Sequence, residues 1–106
     1  MIVKFAAAAL TMMATAASAD ARQDYVSCLN GAVGTAKTAN VRADGFKDYA
    51  HKTCAAVEDG FKAKLVSFNV KNGMSKTAAA KDADLQLDDY LYTYEEKYRY
   101  SAEPPK

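Results

Sequence analysis

Two cysteines 26 residues apart, each on an apolar helical stripe, constrain this chain more than any other feature. Around Cys28, apolar residues recur at Tyr25, Leu29, Ala32, Ala36 and Ala39. The second stripe is Phe46, Ala50, Cys54, Val57, Phe61, Leu65 and Phe68, with steps of 4, 4, 3, 4, 4 and 3. That is the spacing of one helix face. Asn40-Val-Arg-Ala-Asp-Gly45 separates the stripes, with Asn40 suited to end one helix and Asp44 to cap the next. Val41 stands 13 residues from each cysteine, roughly 20 Å along either helix. Residues equidistant from the turn of an antiparallel pair lie side by side, so Cys28 and Cys54 are expected to form a disulfide. Redox dithiols sit closer in sequence, at an electropositive helix start, so this pair reads as structural.

The bond needs an oxidising compartment, and the N-terminus supplies the route to one. Met1-Ile-Val-Lys4 is a short basic start, Phe5 to Ala17 is a 13-residue apolar run, and Ala17-Ser-Ala19 is a small-x-small site. These are the parts of a cleaved secretory signal. The run is shorter than the roughly 20 residues that cross a bilayer. Residues 1–19 are therefore expected to be removed, leaving a domain of residues 20–100 and a flexible tail at 101–106. No later segment spans a membrane, so the destination is the bacterial periplasm or the exterior. Lys4 is the one basic residue before Asp20, and no acid precedes Asp20, so the chain from Asp20 onward is neutral. A neutral exported protein is a poor nucleic-acid binder, because that affinity is built on basic charge.

The second predicted helix runs from about Asp44 to Lys71, with Gly60 as its weak point. Gly73 is suited to end it in the left-handed conformation, and Ser75 to cap a third. The third stripe is Ala80, Ala83, Leu87, Leu91, Tyr94 and Tyr98, with Tyr90 beside it. Tyr90, Tyr92 and Tyr94 also alternate as a strand would. No second strand pattern exists to pair with them, and their charged flanks suit a helix. The expected fold is an all-α, three-helix up-down-up bundle whose first two helices form a stapled antiparallel hairpin. Many core positions are alanine, and the first helix also carries Gly31 and Gly34, so these small side chains are expected to let it pack tightly against the second.

Residues that carry chemistry are sparse. His51 has Asp48 and Cys54 at helical spacing, too few ligands for a metal and no free thiol to activate. An EF-hand loop begun at Asp82 would want Gly and Glu where Leu87 and Thr93 stand. No Cys-x-x-Cys-His or phosphate-cradling glycine motif occurs. No catalytic residue, metal or cofactor is expected. Charge is more ordered than its total. Residues 60–81 hold five lysines (62, 64, 71, 76 and 81) and no acid, while 82–96 hold six acids and no base. If the third helix folds back on the second, Lys62 or Lys64 meets Asp84, Asp88 or Asp89. The remaining lysines suit an anionic partner, and Tyr92 and Tyr100 fall off the core stripe. The candidate contact residues are therefore Lys62, Lys64, Lys71, Lys76, Tyr92 and Tyr100.

In plan, a small exported helical protein with one disulfide is similar to several periplasmic stress proteins, including the acid-activated chaperones of enteric bacteria. The likeness covers size and class, and it carries no motif or residue role. The expected function is non-catalytic binding of another protein or an envelope component. A stress-responsive periplasmic chaperone is the alternative, and a small enzyme or thiol-redox protein the third reading. So small a bundle buries a limited share of its surface, and a homodimer is one way to cover the rest.

Overall fold

The computed structural model describes the backbone of residues 2–102 and the side chains of residues 20–101. The side chains of the expected signal and residues 103–106 of the expected tail lie outside the described residues. Among the described residues four helices form: α1 (Ile2–Thr38), α2 (Phe46–Thr53), α3 (Ala55–Lys71) and α4 (Lys76–Ala102), with a 3-10 turn at Ala43–Gly45 before α2. α4 runs on through Ser101 and Ala102.

α1 ends where Asn40 takes a left-handed φ of 58°. Val41 N–H then donates to Ala36 O, and Asn40 N–H to Lys37 O, the paired bonds of a Schellman cap. The same device closes α3. Gly73 has φ 102°, Met74 N–H donates to Asn69 O, and Gly73 N–H to Val70 O. Ser75 caps α4, its Oγ accepting from Ala78 N–H at 3.2 Å. Asp44 is not a cap: it lies in the 3-10 turn, and Gly45 occupies the cap position of α2 with no side-chain bond.

The three-helix up-down-up expectation fails at the second element, which is two helices. The discontinuity falls at Cys54 (φ −106°, ψ 17°), not at Gly60, which sits inside α3. The backbone bonds Cys54 N–H to Ala50 O and Glu58 N–H to Cys54 O bridge the irregularity. The residue that leaves helical geometry is the one tied to α1. Cys28 and Cys54 are joined, with S–S 2.09 Å and Cα–Cα 5.9 Å, a normal span for a disulfide. Antiparallel pairing of α1 with α2 and α3 follows from three links on successive levels. Tyr49 Oη donates to Thr35 Oγ1 near the turn, the disulfide comes next, and Tyr25 bonds Glu58 beyond it.

The core joins Tyr25, Leu29, Ala32 and Ala36 of α1 to Phe46, Ala50, Cys54 and Phe61, and to Leu87 and Tyr98 of α4. Two aromatic groups anchor it. Tyr25, Phe61 and Tyr90 meet pairwise at 5.7 Å, and Phe46 stacks on Tyr98 at 4.8 Å. Each such pair is worth about 0.5–1.5 kcal/mol beyond area burial. α4 therefore runs the length of α2 and α3, and the alternating tyrosines are helical. Ala79 is fully buried where Ala80 was expected, and Ala39 is exposed. Gly31 and Gly34 lie on the outer face of α1 with nothing near them. The small residues of α1 that are buried are Ala32 and Ala36, which are on the stripe.

Candidate functional site

Inside the bundle, the disulfide neighbours a polar cluster that residue spacing did not reveal. Glu58 is only 5% exposed. Its Oε2 accepts from the Tyr25 hydroxyl at 2.9 Å, and its Oε1 lies 2.5 Å from His51 Nδ1. His51 and Glu58 are seven residues apart, two turns on one face, and flank the kink at Cys54. Burial pushes the Tyr25 phenol well above its ordinary value, reinforced by the charge of Glu58 and the hydrogen bond to it. The phenol therefore stays neutral and donates. A carboxylate that holds Nδ1–H leaves His51 Nε2 as its free nitrogen, a geometry that orients a base. Among the described residues, no hydroxyl or thiol is bonded to that imidazole, and both sulfurs are in the disulfide. The cluster ties α1, α2 and α3 together around one buried charge. A sequence signal for Glu58 existed. It stands at i+4 from Cys54 and i−3 from Phe61, so it fits the apolar stripe as well as Val57 does.

On the surface, the acidic and basic blocks meet in part. Lys62 Nζ lies 2.6 Å from Asp84. Asp88 is taken by Lys47 at 3.2 Å rather than by Lys64. Lys64, Lys71 and Lys76 are exposed, and no carboxylate is in ion-pair range of them among the described residues. Tyr92 and Tyr100 are 56% and 77% exposed.

Phe68 corrects the sequence reading. It continues the stripe of Phe61 and Leu65, yet it is 61% exposed. Lys64, Phe68 and Lys71, at i, i+4 and i+7, share one face. They form an open end of the bundle with Val70 and the α3–α4 turn. A second outward row lies on α4, where Leu85 and Tyr92 are seven residues apart and both exposed. Lys64 and Lys71 thus share a face of α3 with Phe68, and Lys76 opens α4 just past the α3–α4 turn. The structure places Tyr92 on the outer side of α4, and Tyr100 toward the opposite end.

That opposite end carries a cleft of about 630 Å³, lined by Lys37, Asn40, Arg42, Tyr98, Arg99 and Ser101 among others. Its two arginines have local partners, Asp44 at 3.3 Å and Glu96 at 3.6 Å. Among the described residues, no group of three or more His, Cys, Asp or Glu side chains is placed to hold a metal, and no helix is long and apolar enough to cross a membrane. Comparisons of the chain with protein-family models, with curated proteins and with solved structures found no match.

Proposed function

We propose that this chain is an exported bacterial protein, periplasmic or secreted, that works by binding another protein or an envelope component and performs no chemistry of its own. The observation that carries the reading is Phe68, exposed on a face with two lysines that have no carboxylate in ion-pair range among the described residues. An aromatic ring in water forfeits burial worth about 1.5–3 kcal/mol, and a partner recovers it. Tyr92 and Leu85 extend the same logic to α4. The internal staple suits such a role, because it holds these faces rigid without depending on a large core.

The reading is tested with a photo-reactive side chain installed at Phe68, at Tyr92 or, as a control, at Gly31, in the protein expressed in its own cell. Adducts from Phe68 or Tyr92 and none from Gly31 are expected. Equal labelling at all three positions, or none at any, overturns the reading.

An acid-responsive chaperone is the second reading, favoured by how α4 is held. Asp84 and Asp88 pair with Lys62 and Lys47, Asp82 accepts from Asn69 at 3.0 Å, and Glu58 anchors α1 to α3. Circular dichroism from neutral pH down through the carboxylate range discriminates. Loss of near-UV signal with helix retained is the behaviour a chaperone of this type needs.

A further inference from the structure

We propose that the open end of the bundle, built by Lys64, Phe68, Lys71 and Lys76 around the α3–α4 turn, docks on an anionic phospholipid surface. The inference rests on the binding reading above and names its partner. Two observations point to lipid rather than to an acidic protein.

The first is the pairing of an apolar ring with cations. Phe68 is 61% exposed and Val70 37% exposed, and Lys64, Lys71 and Lys76 around them have no carboxylate partner among the described residues. A ring that enters the interface while long cationic chains reach headgroups is how a peripheral surface holds a membrane. The second is the kind of cation. All five basic residues between 60 and 81 are lysines, and no acid lies among them. Of the two acids that flank this block in sequence, Asp59 and Asp82, Asp82 is engaged by Asn69 and Gln86. Lysine is a hydrated point charge that suits a diffuse array of headgroups. The paired recognition of protein carboxylates favours arginine.

The test uses the protein purified from the envelope fraction of the expressing cell, co-sedimented with vesicles of phosphatidylcholine alone or with added phosphatidylglycerol. Binding that requires phosphatidylglycerol and falls with salt is expected. Each surface lysine contributes about fivefold, so K64Q/K71Q/K76Q should lose roughly 100-fold. Phe68→Ser should weaken binding several-fold with the helical signal unchanged. K37Q/R42Q/R99Q, which removes the same charge from the opposite pole, should bind as the parent does. Equal binding to both vesicles, or equal loss in both triple variants, overturns the inference. If the vesicles do not bind but Phe68 still forms a protein adduct in cells, the lipid assignment falls and the binding reading stands. If neither occurs, both fall.

Discussion

Glu58→Leu is the perturbation that most sharply tests the interior. Glu58 is buried, accepts from the Tyr25 hydroxyl at 2.9 Å and meets His51 at 2.5 Å. Leucine removes both contacts. His51 is more than half exposed and rehydrates, so its share is small, about 0.5 kcal/mol. Tyr25 is fully buried, and its hydroxyl is left without an acceptor, at a cost of about 1–3 kcal/mol. Glu58→Leu should therefore lose about 2 kcal/mol. Tyr25→Phe should lose a similar amount, because it leaves a buried carboxylate with one partner. Replacing both removes the need for either bond, so Y25F/E58L should be more stable than the sum of the singles by about 1–3 kcal/mol. Urea unfolding at neutral pH, followed by far-UV circular dichroism, measures all four proteins. Single variants within about 0.5 kcal/mol of the parent, or a strictly additive double, would refute the cluster as a coupled unit.

Other consequences follow from particular residues. C28A/C54A should lose about 3.5 kcal/mol in urea unfolding, the chain-entropy value for a loop of this size. The Tyr25 phenol keeps its proton above the ordinary value of 10.0. Its contribution is therefore whole below that pH and is lost as pH rises and the unfolded chain ionises. The parent should then lose about 1.4 kcal/mol per pH unit more than Tyr25→Phe in alkaline urea titrations. Gly73→Ala forces a side chain onto φ 102° and should cost about 1–2 kcal/mol by thermal or urea unfolding.

The hairpin was legible because covalent and periodic signals agree. Both cysteines lie on apolar stripes, and both are equally distant from Val41. Asn40, Gly73 and Ser75 announced their caps because their chemistry is local. The kink at Cys54 was not legible, since a 4, 4, 3 pattern runs through it unchanged and only the tie to α1 marks the place. Glu58 reads as a surface acid until Tyr25 and His51 arrive from elsewhere to satisfy it. Phe68 reads as core because periodicity reports which face a residue is on, not whether a neighbouring helix reaches that level. The lysines near the α3–α4 turn were visible as a block. The exposure of Phe68 was not, because a helical stripe names a face and not what covers it.

Intact-mass measurement of the protein recovered from its own cell, alkylated without reduction, tests the central claim most directly. The account predicts a chain beginning at Asp20, two hydrogens lighter than the dithiol form and carrying no alkyl group. A chain that retains residues 1–19, or one that takes up label at both Cys28 and Cys54, would contradict it.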